Sequence, residues 1–429
     1  MTATLPALGA PTARPPIPLA EALDAALDDL RCVYQPLIDL ASGRVVGHEA
    51  LLRGPRGTSL ESPLRLLDAA RATGRLGDLE RASLSHSLRA AGLATQGPTT
   101  LFVNIEPSTL TARLDVVLAA LARRPDHVQV VVEITERALA ADPAGILAAA
   151  DRLRAAGCAL ALDDVGAEPA SLAFIPLLRP EVVKLDLGLL RTLEDPMTIT
   201  VAGAVRAYAE DTGAEVVAEG IEVEDDLTRA LVLGATLGQG WLWGRPDEHM
   251  TSVSPAVERF AVRSTDVVRA ATPFDLLADP VHVNRVPKRL LLPLSQTLEL
   301  TALQARVSPL LLSCFQHVRH LTPGTGRRYG RLAEQLPFVG VLGEDMPSEP
   351  VPGVRGTALA ADDPLVREWT VVVLGAHESV ALVARGTEPS SATRRRQSDG
   401  DREFDFFVTH DRARVTAAAQ ALIGRVTPR

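Results

Sequence analysis

The chain has 429 residues, of which 46% are hydrophobic and 23% charged, and its formal net charge is −9. These values are typical of a globular protein and exclude a disordered chain. The acidic balance argues against a broad nucleic-acid surface, which needs a basic face, so we expect no DNA partner. The acidic balance does not exclude a small anionic ligand, because a bound metal ion reverses the local charge. This length usually divides into two domains.

The three cysteines, Cys32, Cys158 and Cys314, are far apart in the chain and form no C-x-x-C motif. They indicate reduced, buried thiols in a cytosolic protein. The chain contains no uninterrupted run of about 18 apolar residues, and its N-terminus lacks the basic start and apolar stretch of a signal peptide. We therefore expect a cytoplasmic protein without a membrane span.

The first elements are predicted from local composition and spacing. Residues 1–18 are rich in Ala and Pro and are predicted to be a disordered tail. Apolar residues at helical spacing predict a helix over residues 19–30. Strands are expected around residues 32–40 and 45–49, joined by a turn.

From residue 101 the chain repeats one pattern, in which a short β-branched run ends in a polar residue and a helical stretch follows. The runs are residues 101–104, 128–133, 159–163, 182–184, 215–219 and 236–239. Apolar runs without alternation fit strands buried on both faces of a parallel sheet, and repeated βα units that close up give a barrel. We therefore predict an α/β fold with a TIM-like (β/α)8 barrel. The carboxyl ends of such strands share one face, where chemistry is done. The polar residues expected at this mouth are Glu49, Asn104, Glu133, Asp163, Asp164, Lys184, Glu219 and Gln239.

The barrel pattern ends near Arg245-Pro246. Residues 251–272 are expected to be a linker, and residues 273–429 a smaller α+β domain. Within it the sequence predicts strands at 338–342, 369–374, 379–384 and 404–409, a helix at 416–423, and a flexible loop at 388–402.

The residue types at the predicted mouth indicate a metal site. Besides Glu219, the mouth holds four carboxylates, which together with the Asn104 amide offer hard oxygen ligands that suit Mg²⁺ or Mn²⁺. The adjacent carboxylates of Asp163 and Asp164 can serve two metals about 4 Å apart. Lys184 adds a cation, and Glu219 could take a proton from a water. A lone acidic residue at a strand end is usually a helix cap or part of a solvated loop. Crowded carboxylates repel each other, however, and a cation is the simplest reason to tolerate them.

The motifs identify a family. The string His48-Glu49-Ala50-Leu51-Leu52-Arg53 contains the Glu-Ala-Leu signature of EAL-domain cyclic di-GMP phosphodiesterases. The family's other motifs follow in order: Phe102-Val103-Asn104-Ile105, Glu133-Ile134-Thr135-Glu136, Asp163-Asp164, Lys184-Leu185-Asp186, Glu219-Gly220-Ile221-Glu222, and Gln239-Gly240 with Arg245-Pro246. Residues 19–250 thus resemble an EAL domain, which implies hydrolysis of cyclic di-GMP to linear pGpG with Mg²⁺ or Mn²⁺ in a two-metal site.

The resemblance also implies roles for single residues. The metal ligands would be Glu49, Asn104, Glu133, Asp163 and Asp164. Lys184 would order the nucleophilic water or a phosphate oxygen. Glu219 would be the general base or a further ligand to the metal-bound water. Glu136, Asp186 and Glu222 would support these residues without contacting the metal directly. Guanine contacts would come from Gln35 and Pro246, and contacts to phosphate and base from Arg53 and Gln239.

One segment departs from the family. After the Asp pair the family usually has Phe-Gly-Thr-Gly-Tyr-Ser-Ser, whereas residues 165–171 here read Val-Gly-Ala-Glu-Pro-Ala-Ser. In the family this loop couples contact between two barrels in a homodimer to metal binding. A receptor that binds cyclic di-GMP without useful turnover is therefore the alternative to an enzyme, and a barrel that binds no nucleotide is a third.

The C-terminal half resembles the DICT sensory domain. The residues that carry this resemblance are Phe274-Asp275-Leu276, Val339-Gly340-Val341-Leu342-Gly343, the strand around Trp369, and Phe404, Phe406 and Phe407. A sensory domain there implies that an unknown signal or protein partner regulates the barrel. The alternative is an ordinary α+β regulatory or dimerisation domain.

Overall fold

A computed structural model describes residues 18–94, 98–167, 171–251, 260–262, 272–277, 283–387 and 398–428. The predicted tail, except Pro18, lies outside the described residues, as do most of the predicted linker and residues 388–397 of the predicted loop. None of the described helices is both long and apolar enough to cross a membrane.

The N-terminal half contains these elements in chain order: α1 (Leu19–Asp28), β1 (Arg31–Asp39), β2 (Val45–Arg53), α2 (Pro63–Ala72), α3 (Leu76–Ala94), β3 (Thr99–Asn104), α4 (Pro107–Ala112), α5 (Leu114–Leu121), β4 (Val128–Thr135), α6 (Glu136–Ala141), α7 (Pro143–Ala155), β5 (Ala159–Val165), α8 (Ile175–Leu178), β6 (Val182–Leu185), α9 (Leu187–Arg191), α10 (Pro196–Thr212), β7 (Glu215–Ala218), α11 (Glu224–Leu233) and β8 (Leu237–Gly238). The eight strands form a closed barrel in sequence order, which confirms the predicted fold.

The first strand runs against its neighbours. β1 pairs antiparallel with both β2 and β8, whereas the pairs from β2 to β8 are parallel. The connection from β1 to β2 is a short turn, and a short turn can join only antiparallel strands. The barrel is therefore TIM-like with one hairpin in place of a βα unit. This pairing sets Gln35 directly opposite Glu49.

Two layers of side chains fill the barrel. The lower layer is apolar and includes Leu37, Phe102, Val131, Ala161, Val182, Val217 and Leu237. Residues two apart in a strand share a face. The residues two positions after Phe102, Val131 and Ala161 are Asn104, Glu133 and Asp163, and the same step on β6, β7 and β8 gives Lys184, Glu219 and Gln239. The polar layer at the mouth therefore lies directly above an apolar one.

Phe260, from the predicted linker, closes the lower end of the barrel. Its ring is fully buried and meets the Phe102 ring edge-on, with centroids 5.4 Å apart. The side-chain amide of Gln129 donates a hydrogen bond to the Phe260 carbonyl. A residue from beyond the last strand is thus part of the barrel core.

The C-terminal half contains α12 (Pro273–Leu277), β9 (Asn284–Pro287), α13 (Lys288–Gln304), β10 (Leu310–His317), α14 (Pro323–Ala333), β11 (Val339–Glu344), β12 (Arg355–Leu359), β13 (Glu368–Leu374), β14 (Ser379–Gly386), β15 (Glu403–Thr409) and α15 (Arg412–Ile423). Its sheet has the order β12-β11-β10-β13-β14-β15-β9. The four predicted strands and the C-terminal helix are confirmed as β11, β13, β14, β15 and α15. Residues of α13 and α14 pack on one face of this sheet, and residues of α15 pack on the other.

Candidate metal centre

Asp163 and Asp164 lie at the carboxyl end of β5. In a regular strand their side chains would point to opposite faces. The pairing of β5 with β6 is irregular between Leu162 and Val165, and Asp164 has a φ of 59°, in the left-handed region. Ligand oxygens of Asp163, Asp164 and Glu219 consequently lie within 4.8 Å of one another. Both members of the Asp pair therefore reach the barrel mouth.

The ammonium group of Lys184 lies among four carboxylates. Its Nζ is 2.6 Å from Glu219, 2.7 Å from Glu133, 3.2 Å from Asp163 and 3.5 Å from Glu49. Burial alone would lower the pKa of Lys184, but these carboxylates raise it well above its usual value. Lys184 is therefore charged and is the counterion that the protein itself provides for these four carboxylates.

Glu49 is held in place by two amides. The Asn104 amide donates to one of its oxygens over 2.8 Å, and the Gln239 amide donates to the other over 2.6 Å. The Gln239 amide also donates to the Gln35 carbonyl oxygen over 3.1 Å. The sequence predicted Gln35 and Gln239 as substrate contacts, which stays a prediction. The structure shows a hydrogen-bond network in which Gln35 contacts Gln239 and Gln239 orients Glu49.

Burial works against ionisation of this cluster. It raises the pKa of Glu133 well above its usual value. The neighbouring charge of Glu49 raises this pKa further, whereas the charge of Lys184 lowers it. Burial likewise raises the pKa of Glu219 to about 7, although Lys184 lowers it. For Glu49 burial also raises the pKa, but Lys184 and the hydrogen bond from Gln239 outweigh it, so that the pKa falls. The single positive charge of Lys184 thus does not neutralise the negative charge of all four carboxylates.

The residues present fit a divalent cation. Among the described residues, both oxygens of Glu133 and Oδ1 of Asp163 are buried without a hydrogen bond of acceptable geometry. The contact of Glu133 with Lys184 is therefore an ion pair that is not aligned as a hydrogen bond. Buried acceptors without donors are costly, and crowded carboxylates repel each other. A hard cation such as Mg²⁺ or Mn²⁺ would relieve both costs.

Glycines follow two of the site residues and permit tight turns there. Gly220, after Glu219, has a φ of 68°. At Gly240, after Gln239, an added Cβ would lie 2.0 Å from the Ile221 carbonyl oxygen. Sequence reasoning did not assign these glycines a role, although the Glu-Gly and Gln-Gly pairs were visible in the motifs.

The other predicted substrate contacts lie around the rim. Pro246 precedes Asp247, whose backbone pairs with Tyr34, the residue before Gln35. Arg53 ends β2, and its guanidinium donates to the Leu52 carbonyl over 2.7 Å.

The predicted supporting residues are less close to the cluster. The carboxylate of Asp186 accepts the Gly188 N–H over 2.7 Å and caps α9, while Glu222 is exposed. Within the described part of the chain neither contacts Lys184 or Glu49. Glu136 begins α6, and its side chain lies outside the described structure.

The fold and this constellation define the class of protein. The model of the EAL domain family matches residues 19–246, which is more than half of the chain, and the chain belongs to this family. A second model, the sensory domain in diguanylate cyclases and two-component systems, called DICT, matches residues 271–387.

Named relatives are similar to the N-terminal half. The cyclic di-GMP phosphodiesterase RocR of Pseudomonas aeruginosa is 31% identical over 231 residues, which cover 51% of this chain and 57% of RocR. The probable cyclic di-GMP phosphodiesterase PdeB of Escherichia coli K12 is 30% identical over 223 residues, covering 50% of this chain and 42% of PdeB. The chain thus matches about half the length of these relatives.

Among solved structures, the manganese/cy-diGMP complex of Klebsiella pneumoniae BlrP1 at pH 6 is 28% identical to this chain. The match covers 52% of this chain and 57% of that one, with a TM-score of 0.46.

Proposed function

We propose that the chain is a metal-dependent phosphodiesterase that hydrolyses cyclic di-GMP to linear pGpG. The observation that carries this proposal is the buried carboxylate cluster around Lys184 in an EAL-family barrel. The names of RocR and PdeB as cyclic di-GMP phosphodiesterases support the choice of substrate.

Mg²⁺ or Mn²⁺ would be held in a two-metal site by Glu49, Asn104, Glu133, Asp163 and Asp164. When bound, the metal lowers the pKa of a coordinated water and neutralises charge on the phosphoryl group. The buried oxygens of Glu133 and Asp163 that accept no hydrogen bond support this assignment.

Glu219 would act as the general base. Its side chain is 24% exposed, whereas that of Glu133 is fully buried, so Glu219 lies on the open side of the cluster. Before metal binds, burial raises the pKa of Glu219 to about 7, which suits a group that exchanges protons with water near neutral pH. The water attacks phosphorus and its proton passes to Glu219, while the bond from phosphorus to a ribose oxygen breaks. That oxygen takes up a proton from solvent and becomes the free hydroxyl of the opened ring. Lys184 holds the Glu219 carboxylate in position for this step.

The rim residues would bind the nucleotide. Gln35 and Pro246 would contact guanine, and Arg53 and Gln239 would contact phosphate and base. Arg53 lines an open depression beside β2 together with Ser59, where its guanidinium would offer a cation to the anionic substrate.

The proposal also covers regulation, location and assembly. The C-terminal domain would regulate the reaction in response to its signal, and the protein would act in the cytoplasm. Two copies would form a homodimer through the barrel.

The test is incubation of the full chain with cyclic di-GMP and Mg²⁺ or Mn²⁺, with pGpG followed by chromatography. We expect product with metal and none with a chelator. Glu219→Gln should lose at least about a hundredfold in rate, the usual contribution of a general base, while it still binds nucleotide. Glu224→Gln, an exposed change on α11, is the matched control. A folded protein that gives no product with either metal refutes the proposal.

A receptor without turnover is the second candidate, and the altered residues 165–171 favour it. Of these, residues 168–170 lie outside the described structure. If the chain is such a receptor, calorimetry should detect nucleotide binding, and the same chromatographic assay should detect no pGpG.

A further inference from the structure

The C-terminal domain contacts the barrel at a connection that follows a metal-site strand. The guanidinium of Arg355, on β12, donates to the carbonyls of Ala141 and Ala140 over 2.8 and 3.2 Å. These carbonyls end α6, and α6 begins immediately after β4, the strand that carries Glu133. The contact therefore fixes the chain a few residues from a predicted metal ligand.

A second contact involves the connection after the Asp pair. The Gln420 amide, on α15, donates to the Leu177 carbonyl in α8 over 3.2 Å. The rings of Phe174 and Phe338 meet edge-on with centroids 5.9 Å apart. Buried residues of α8, α15 and the C-terminal sheet belong to one continuous apolar core. The two domains thus share a core at the segment that leads out of the metal site.

A cavity of about 750 Å³ lies at this junction. Its barrel side is formed by residues of α8 and α10, such as Ile175 and Ala204, and its other side by residues of α15, such as Ala417. The volume falls in the range of pockets that enclose small molecules, about 300–1,000 Å³. Much of the wall is apolar, so the ligand that fits has an apolar body.

The polar part of the lining carries more positive than negative charge. Arg179, Arg412 and Arg414 line the cavity together with Asp211 and Asp411. Asp411 accepts the Arg414 N–H over 2.9 Å and caps α15, and Asp211 interacts with Arg412. In the described part of the chain, the guanidinium groups of Arg179 and Arg414 form no ion pair with a carboxylate. Two guanidinium groups beside an apolar wall suit an organic anion.

We propose that this cavity binds a small organic anion with an apolar body, and that its binding is linked to divalent-cation binding at the barrel mouth. The link runs through α8, which forms part of the cavity wall and follows the Asp163-Asp164 pair in the chain. This second part rests on the proposed function of the barrel. By thermodynamic necessity the two ligands change each other's affinity by the same factor.

The binding test uses two fluorescent probes on the full chain. They are 1-anilinonaphthalene-8-sulfonate, which is anionic, and N-phenyl-1-naphthylamine, which has a similar body without charge. We expect saturable binding of the sulfonate, weakened about tenfold by Arg179→Gln or Arg414→Gln, with little effect on the neutral probe. Arg123→Gln, an exposed change outside the cavity, should leave both probes unaffected.

A second variant fills the cavity. Ala417→Phe should weaken both probes, and its thermal unfolding shows whether it folds. If Ala417→Phe does not fold, the test still stands on the two arginine variants, because Arg179 is partly exposed and Arg414 exposed. Equal sulfonate affinity in the wild type and both arginine variants would overturn the proposed site.

The linkage is measured without hydrolysis, as the affinity for Mn²⁺ by calorimetry with and without the bound sulfonate. We expect a change of about fivefold or more, equal to the change that Mn²⁺ makes in sulfonate affinity. An unchanged Mn²⁺ affinity would overturn the linkage. Absence of pGpG formation in a chain that shows the linkage would refute only the proposed hydrolysis.

Discussion

Nζ of Lys184 lies 2.6 Å from a carboxylate oxygen of Glu219, and the same ammonium contacts three further carboxylates. The group that holds the proposed base is therefore also the counterion of the predicted metal ligands. These two roles predict that the importance of Lys184 for stability depends on whether a metal is bound.

Lys184→Met should destabilise the chain by about 3–5 kcal/mol in the presence of a chelator, because it leaves buried carboxylates without their counterion. Excess Mg²⁺ or Mn²⁺ should recover part of this loss. Urea unfolding under both conditions measures it. Lys288→Met, which removes the ion pair with Asp399 in the other domain, should cost about 1 kcal/mol or less and show no metal dependence. Equal destabilisation of Lys184→Met with and without metal would contradict the prediction.

The backbone conformation of Asp164 is expected to destabilise the fold, since its φ of 59° is unfavourable for a residue with a Cβ. Its carboxylate is expected to bind metal. Asp164→Gly and Asp164→Ala both remove the carboxylate, but only glycine adopts this conformation without a penalty. The glycine variant should be more stable than the alanine variant by about 1 kcal/mol. Both should bind Mn²⁺ more weakly than the wild type in calorimetry. Wild-type Mn²⁺ affinity in both variants would exclude Asp164 as a ligand.

Gly240 and Gly203 give a matched pair of Gly→Ala substitutions. At Gly240 the new methyl group would meet the backbone of Ile221 at 2.0 Å, and a shift there would displace Gln239. Gly240→Ala should lower the free energy of unfolding by about 1–3 kcal/mol and weaken nucleotide binding. At Gly203, inside α10, an added Cβ meets nothing within 4 Å, so alanine should stabilise by about 0.5–1 kcal/mol. Urea unfolding of both variants measures these changes, and a neutral Gly240→Ala would show that the loop can move away.

The buried carboxyl group of Glu80, outside the carboxylate cluster around Lys184, predicts that the stability of the fold depends on pH. Its carboxylate accepts the Glu106 N–H over 2.9 Å, and burial raises its pKa from 4.5 to about 7. A carboxyl group whose pKa rises on folding stabilises the native state while it is protonated, and this contribution is lost as the pH rises from about 4.5 through 7. Glu80→Gln lacks this titration. Its stability relative to the wild type should therefore increase over that window, by about 3 kcal/mol at most. A difference that does not change between pH 4.5 and 8 would contradict it.

The sequence predicted the site more completely than its surroundings. Glu133 and Lys184 could be placed at the mouth because each follows a β-branched run, and residues two apart in a strand share a face. The contact of Lys184 with four carboxylates could not be predicted, since it depends on how far each side chain reaches across the barrel. The antiparallel direction of β1 was also absent from the predicted βα pattern, although the short turn before Val45 indicates a hairpin.

The C-terminal domain was predicted only in part. Apolar runs such as residues 369–374 form central strands and were found, whereas the apolar run of the central strand β10 was not predicted to be a strand. The edge strand β12 was not, because Arg355 and Gly356 give it no β-branched pattern and its arginine reaches across to the barrel. The helix α14 was also missed, since Pro323, Gly324 and Gly326 in its first turns disfavour a helix in isolation.

Phe260 has a consequence for where the barrel ends as a physical unit. The family match stops at residue 246 and the predicted barrel boundary at 250, yet the ring of Phe260 occupies the lowest layer of the core. A barrel fragment cut at residue 250 would lose this ring and the packing around Phe102, a loss of about 3–5 kcal/mol for a buried aromatic side chain. Any displacement of the C-terminal domain that pulled on this segment would have to extract the ring at a similar cost. The same residue that completes the barrel therefore limits how far the two domains can separate while both stay folded.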